Sequence, residues 1–409
     1  MKNKLLSRFN RFDIYLVIII ASLSAGSLGG VFLPFRVITI LLIPDFLSTL
    51  TRYSRYVKTY TNCTLFFFVY VIVSVVWSPP GNEAMAHLAY CIFHFILFFE
   101  ILLFSFRAKS PFLSISTGWL IAVALTLVIA MWELTTDNHL SMSKKEGNEA
   151  VNLGYTIFMR QFASVTFHNY NTYVTFLCCA LPFIFHQLLT KNNFFIQRLL
   201  SIVCLVLSTV CIIFNASRGG LIVIVVLAGL YFLYTGKGRK SYLYLLLIGA
   251  VVIYALRYFG DALFTMMEVR TAGGALFDGN SRFAIWGHAL DAFFKTGGLG
   301  VGLGGLKAAI SAEWSGISIT HNIFLECLVE FGLIIFIGFI VYLVKLVKSA
   351  RKYADRAEKV TVYMSLLTLP IYGIIDAGFL NSPFVFASFA SLSVFANLNR
   401  INILRGWKH

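Results

Sequence analysis

Long apolar runs follow one another along most of the chain. A helix of about 20 mostly apolar residues can cross the ~30 Å hydrocarbon layer of a bilayer. The runs therefore predict an all-α, single polytopic membrane domain over residues 1–409, in which we expect Pro44 to interrupt the second span. The twelve expected transmembrane helices are 13–32, 35–51, 62–78, 87–106, 115–134, 171–189, 198–214, 219–235, 241–258, 322–347, 359–377 and 382–398.

Basic residues are concentrated in alternate segments between these runs. If the N-terminus is cytoplasmic, about two thirds of the 33 lysines and arginines fall on the cytoplasmic side, and every cytoplasmic segment is basic. Both termini are then expected on the cytoplasmic side of the membrane. This distribution explains the net charge of +15 by membrane topology, so we expect no nucleic-acid partner.

The overall composition agrees with a membrane protein. Hydrophobic residues make up 58% of the chain and charged residues only 12%, which is more apolar surface than one soluble core of this size can bury. The seven cysteines form no CxxC pair, so they predict neither a zinc site nor a disulfide framework.

Two outer segments are much longer than the other loops, at about 135–170 and about 259–320. Long loops in compact proteins are often functional. In the second, Phe283, Trp286, Leu290 and Phe293 are spaced as one face of a helix over residues 281–294. We therefore expect a large outer loop that carries a helix lying on the membrane surface, and this loop is periplasmic if the protein is bacterial.

Two arginines on the outer side could bind an anion. Arg218 lies at the outer boundary of a span and is followed by Gly219 and Gly220, while Arg282 opens the expected surface helix. A guanidinium group matches phosphate oxygens bidentately, and a helix N-terminus adds backbone N–H donors. The alternatives are an arginine that reaches lipid headgroups and an ordinary solvated side chain.

Several glycines, histidines and asparagines add to this pattern. The glycine-rich run 297–305 includes Gly300 and Gly302, whose backbone could approach an anion, or which could form only a flexible loop. His321 precedes the tenth span and could accept a proton near neutral pH, although an interfacial histidine is often structural. His168 and Asn169 could bind sugar hydroxyls, with helix capping as the alternative for the asparagine.

These clusters resemble the O-antigen ligase and Wzy-type polymerase superfamily. The resemblance covers about residues 215–332 and depends on the order of degenerate motifs. In chain order they are Ser217-Arg218-Gly219-Gly220, Ser281-Arg282-Phe283 with Trp286, Gly300-Val301-Gly302, and His321-Asn322 with Glu326 and Gly332.

The resemblance implies a GT-C-like membrane glycosyltransferase with an active site at the periplasmic face. Such an enzyme takes a glycan from undecaprenyl diphosphate and uses neither metal nor nucleotide. His321, Arg218 and Arg282 correspond to the catalytic residues of the family. The arginines, Gly300, Gly302, Asn322, His168 and Asn169 form the expected substrate site. The resemblance assigns no role to Glu326 or Glu330.

The acceptor and the broader class of protein stay open. A ligase would transfer the glycan to lipid A–core, which we favour slightly, and a polymerase to another lipid-linked glycan. A polysaccharide or lipid-linked oligosaccharide transporter would also have twelve spans. However, the chain shows no clear repeat between its halves, as many transporters do, and its long loops are distributed unevenly.

Overall fold

The computed structural model describes residues 9–28, 30–78, 84–141, 151–152, 157–158, 162–190, 195–235, 279–312, 320–376, 378 and 382–404. These residues form α1 (Arg11–Ala21), α2 (Pro34–Ser74), α3 (Ala84–Ser105), α4 (Pro111–Thr136), α5 (Tyr170–Leu189), α6 (Phe195–Phe214), α7 (Arg218–Thr235), α8 (Gly279–Lys295), α9 (Gly305–Ser311), α10 (Ile323–Tyr353), α11 (Arg356–Tyr372) and α12 (Pro383–Leu404). Two 3₁₀ turns (Ser22–Ala25, Gly30–Phe32) and an antiparallel pair of two-residue strands, β1 (Val151–Asn152) and β2 (Ile157–Phe158), complete them.

Eight of the described helices are long and apolar enough to cross a membrane: α2, α3, α4, α5, α6, α7, α10 and α12. The expected fold class, a helical integral membrane protein, is therefore confirmed. The first and eleventh expected spans correspond to shorter helices, α1 with 11 residues and α11 with 17. The expected span 241–258 lies outside the described residues, so the count of twelve stays a prediction.

Helix α2 replaces two expected spans, 35–51 and 62–78, and continues through Pro44, so the expected interruption there is wrong. A proline removes one backbone hydrogen bond, but neighbouring groups in a membrane protein can compensate for that loss. The rings of Phe35 and Phe67 contact His94 and Phe95, which are adjacent on α3. In a straight helix Phe35 and Phe67 would lie about 48 Å apart. Helix α2 therefore curves, and it takes the place of both expected spans.

The buried centre of the molecule is formed mainly by α4, α5 and α12. Trp119 on α4 stacks on Phe183 of α5 with ring centroids 5.5 Å apart, and Phe183 packs edge-on against Phe395 of α12. By contrast, α6 and α7 leave large apolar side chains exposed, such as Val206 and Val225. Apolar side chains on the outside of a helix bundle are what a lipid environment requires.

The described loops gather at two opposite ends of the bundle. Segments that we expected in the cytoplasm meet at one end, where Asn10 Nδ2 donates to the carbonyl oxygen of Arg107 at 2.7 Å and Arg356 donates to that of Tyr234 at 2.9 Å. We call this the inner end. At the other end, the outer end, Glu133 at the end of α4 accepts from the backbone amide of Ser164 at 2.8 Å. The grouping agrees with the alternation expected from the basic residues.

Candidate functional site

A short segment at the outer end of α11, residues 372–376, lies beside the three expected catalytic residues. We call it the hub segment. Arg282 and His321 each bond to one of its backbone carbonyls, whereas Arg218 is next to Gly219, which packs on it. Nothing in the sequence marked this segment, which reads Tyr-Gly-Ile-Ile-Asp.

Arg282 reaches the hub segment from the first turn of α8. Its side chain is exposed, and Nη1 donates to the carbonyl oxygen of Ile374 at 3.3 Å. The expected helix is present as α8. Of its expected apolar face, Phe293 is buried and Trp286 and Leu290 pack against the same cluster, whereas Phe283 is 71% exposed. The buried face packs on α9 and α10, which fixes the start of α8 beside the hub.

His321 lies immediately before α10 and has a left-handed backbone, with φ of +47°. Such a conformation is uncommon for residues other than glycine and is held only where the surroundings demand it. The next residue, Asn322, caps α10 by accepting from Phe324 N at 3.1 Å and Leu325 N at 3.2 Å. This cap gives Asn322 a structural role, and it sets the direction of the chain at His321, just before the helix.

The imidazole of His321 is held next to the hub segment and to Arg282. The ring donates to the backbone carbonyl of Ile375, and Nδ1 has no hydrogen-bond partner among the described residues. Burial, together with the positive charge of Arg282, lowers the pKa of His321 from 6.5 to about 4. His321 is therefore neutral at physiological pH and has a ring nitrogen whose capacity to accept is unused.

Arg218 is the first residue of α7. The preceding turn is fixed by Asn215, whose side-chain amide bonds the backbone N–H and C=O of Ala163 at 2.8 and 2.9 Å. The next residue, Gly219, packs so closely on the hub that a Cβ there would lie 2.8 Å from Ile375 Cγ1. The exposed side chain of Arg218 therefore starts one residue from a direct contact with the hub segment.

The electrostatics of this region favour an anion. Arg218 and Arg282 stand at the N-terminal ends of α7 and α8, and His321 stands at the N-terminal end of α10. The N-terminus of a helix carries partial positive charge and backbone N–H groups without intrahelical partners. Two guanidinium groups and three helix N-termini together form a suitable environment for phosphate oxygens.

A shallow, open pocket with space for little more than a water molecule lies near His321, and Ile323, two residues further along the chain, lines it. Its polar lining residues, Asp376 of the hub segment and the hydroxyl residues Thr175 and Ser382, were not identified from the sequence. The full lining is Thr175, Ile323, Tyr372, Gly373, Asp376, Ser382 and Val385. A pocket with a carboxyl group and hydroxyl groups suits a neutral polyhydroxylated molecule better than a phosphate.

His168 and Asn169 lie at the start of α5, the helix that carries Thr175. Asn169 Oδ1 accepts from Asn171 N at 2.7 Å and caps this helix. His168 is exposed. Since α5 also packs near Gly220, with Val174 Cγ1 3.0 Å from a Cβ built there, the start of α5 stands close to Arg218. The predicted contact of His168 and Asn169 with substrate stays a prediction.

The glycine turn, residues 297–305, is not brought to the three catalytic candidates. It docks instead on a break in α10, where Gly332 has φ of +76°. Gly302 N donates to Glu330 O at 3.1 Å, and a Cβ on Gly300 would lie 2.5 Å from Gly332 N. The glycines are therefore required for close backbone packing, and their predicted role in binding substrate also stays a prediction.

Glu330 explains how the turn is held at this break. Its Oε1 accepts from Gly304 N at 2.5 Å and lies 3.8 Å from His87 Nδ1. Trp77 Nε1 donates to Gly300 O at 2.9 Å from the other side. These contacts give Glu330 a structural task that its sequence position did not reveal.

Comparison with known proteins supports the resemblance inferred from the motifs. The family model described as O-antigen ligase matches residues 203–340, which include Arg218, Arg282 and His321. The teichuronic acid biosynthesis protein TuaE of Bacillus subtilis (strain 168) is 22% identical over 306 residues. The match covers 71% of this chain and 60% of that protein. The chain is thus a multi-pass membrane protein that is similar to O-antigen ligases.

Proposed function

We propose that the protein is a membrane glycosyltransferase that moves a glycan from undecaprenyl diphosphate to an acceptor hydroxyl. The observation that carries the proposal is the convergence of Arg218, Arg282 and His321 on the hub segment. The similarity to O-antigen ligases and to a teichuronic acid biosynthesis protein agrees with the same chemistry. The charge distribution supports a site on the outer, periplasmic face of a bacterial inner membrane, with both termini cytoplasmic.

Arg218 and Arg282 bind the diphosphate of the donor in this proposal. Their guanidinium groups and the N-termini of α7 and α8 stabilise the negative charge that grows on the diphosphate as it leaves. Charge stabilisation by groups already in place is usually the largest single contribution of an enzyme to lowering such a barrier. The arginines supply the positive charge for this step, so the proposal includes no metal ion.

His321 accepts the proton of the acceptor hydroxyl. The hydroxyl oxygen forms a bond to the anomeric carbon, the bond from that carbon to the diphosphate oxygen breaks, and its electron pair stays with the diphosphate. Attack from the face opposite the leaving group inverts the anomeric centre. A bound diphosphate also offsets the charge of Arg282, which removes one of the two causes that lower the pKa of His321.

The acceptor sugar binds over the shallow pocket near His321 in this proposal. Asp376, Thr175 and Ser382 line that pocket, and their oxygens can hydrogen-bond to sugar hydroxyls.

Two acceptors fit this arrangement. An O-antigen ligase transfers the glycan to lipid A–core, and the match to the O-antigen ligase model favours it. A polymerase transfers the glycan to another lipid-linked glycan, and the similarity to a protein of teichuronic acid biosynthesis favours that alternative.

The test uses purified full-length protein in detergent with undecaprenyl-diphosphate-linked glycan, first alone and then with lipid A–core. Products are resolved by gel electrophoresis and mass spectrometry. Elongated lipid-linked glycan from the donor alone identifies a polymerase, and a product that requires lipid A–core identifies a ligase. If neither product forms, and Arg218→Ala and His321→Ala cells make normal surface glycan, the transferase proposal is wrong and a transporter becomes the leading alternative.

A further inference from the structure

Glu326 is a buried carboxylate on the first turn of α10, one turn beyond His321, and its side chain connects two separate segments. Thr320 Oγ1 donates to Glu326 Oε1 at 3.1 Å. The backbone N–H of Gly378 donates to both carboxylate oxygens, at 3.1 and 3.0 Å. The carboxylate therefore joins the residue before His321 to the chain just beyond the hub segment.

Thr320 is held from a second direction. Its carbonyl oxygen accepts from Trp286 Nε1 at 2.7 Å, and Trp286 lies on α8 one turn beyond Arg282. The hydroxyl of Thr320 thus bonds to Glu326, and its carbonyl bonds to the helix that carries Arg282. The next residue is His321, with its left-handed backbone. These two hydrogen bonds restrain Thr320. Restraints of this kind hold the unfavourable backbone conformation of His321 in place.

We propose that Glu326 is a positioning residue that holds His321 in its place beside Arg282 and the hub segment. It bonds both Thr320, the residue before His321, and Gly378, two residues beyond the hub segment. Glu326 contacts neither donor nor acceptor in this account. Its effect on glycan transfer rests on the proposed function, whereas its effect on the geometry of His321 does not.

The first test measures the reactivity of His321 without any substrate. Diethyl pyrocarbonate modifies accessible neutral imidazoles, and His321 is neutral above about pH 4. Its rate of modification at pH 6.5 is followed by mass spectrometry of the purified full-length protein. His168, which is exposed at the same end, is the internal reference. The variants are Glu326→Ala, Glu326→Gln and Thr320→Val.

The matched control is Glu358→Ala. Glu358 is also a buried first-turn glutamate, but it lies at the inner end of α11, where its Oε1 is 3.6 Å from His186 Nε2. Thermal unfolding of each variant reports general loss of stability. Thr320→Val removes a single hydroxyl bond at nearly constant shape, so it remains informative if Glu326→Ala does not fold.

We expect Thr320→Val to raise the modification rate of His321 by roughly fivefold, the effect of one lost hydrogen bond, and Glu326→Ala to raise it by more. Glu326→Gln, which keeps one acceptor oxygen, falls between wild type and Glu326→Ala. Glu358→Ala leaves the rate at the wild-type value. Unchanged rates in both Thr320→Val and the Glu326 variants, or an equal rise in Glu358→Ala, would overturn the proposal.

Glycan transfer by the same samples separates this proposal from the proposed function. Changed His321 reactivity in a wild-type protein that makes no glycan product would retain the positioning role and reject the transferase. An active wild type whose Glu326→Ala and Thr320→Val variants keep full kcat and wild-type His321 reactivity would reject the positioning role alone.

Discussion

At the inner end of the bundle, Asp13 accepts four hydrogen bonds of 2.7–2.8 Å from three backbone amides and a hydroxyl. At the outer end, by contrast, lie all four described non-glycine residues with positive φ: Asp137, Val165, Ala216 and His321. Backbone strain of this kind clusters where a protein binds or transforms a ligand.

Two histidines, one at each end, also have different surroundings. At the inner end, His186 Nδ1 lies 2.9 Å from Ser116 Oγ, and its Nε2 lies 3.6 Å from Glu358 Oε1. These contacts join α4, α5 and α11. His321 is instead placed beside Arg282 at the hub segment. We therefore expect His186 to stabilise the bundle and His321 to take part in the proposed chemistry.

Replacing the two histidines is expected to separate these roles most strongly. His321→Ala should lower kcat/KM for glycan transfer by about 10²–10⁴, because a general base is lost. His186→Ala should lower the temperature of thermal unfolding and leave kcat/KM of the folded protein close to wild type. Transfer kinetics and thermal unfolding of both variants check this, and equal losses of activity would remove the distinction between the ends.

A matched pair of arginines gives the next largest effect. Arg282 and Arg356 each donate to a backbone carbonyl, of Ile374 and Tyr234 respectively. Arg282→Ala should lower kcat by about 10²–10³, because one donor to the leaving diphosphate is removed. Arg356→Ala should change kcat less than twofold. An equal fall in kcat for Arg356→Ala would contradict the proposed role of Arg282.

A pair of glycines tests the contact between Arg218 and the hub segment. In Gly219→Ala the new Cβ meets Ile375 Cγ1 at 2.8 Å, so the hub segment or the start of α7 must shift. We expect about a tenfold fall in kcat, since small displacements of catalytic groups are costly. Gly338→Ala on α10 meets nothing within 4 Å and should be active. Full activity of Gly219→Ala would show that this contact does not position Arg218.

The pH dependence gives the smallest and most specific effect. Because the pKa of His321 is about 4, its neutral form persists as the pH falls through 6.5. The value of kcat/KM for the wild type should therefore stay level down to about pH 5 and then fall. Arg282→Gln removes a positive charge, which raises the pKa of His321 and moves this fall to higher pH. A wild-type fall centred at 6.5 would contradict the described environment.

The sequence was sufficient to predict a helical membrane protein and the helix in the late outer loop. Hydrophobic runs and basic residues report directly on lipid and on topology, so these predictions needed no tertiary contacts. The continuity of α2 was missed, because Pro44 and the basic residues near Arg52 look like a boundary between two spans.

The hub segment could not be predicted, for a different reason. It receives Arg282 and His321 through the backbone carbonyls of Ile374 and Ile375, and a carbonyl has no signature in the side-chain sequence. The roles of Glu326 and Glu330 were hidden for the same reason, since both accept from backbone amides of residues distant in the chain. Only the folded chain brings these groups together.

The central claim is that Arg282 and His321 act as one site, and a double-mutant cycle tests it most directly. Initial rates of glycan transfer from undecaprenyl diphosphate are measured for the wild type, Arg282→Ala, His321→Ala and the double variant. Residues that act as a unit are strongly non-additive, so the double variant should be no more than a few-fold slower than the slower single variant. A double variant whose loss equals the product of the two single losses, or a single variant with wild-type activity, would contradict the claim.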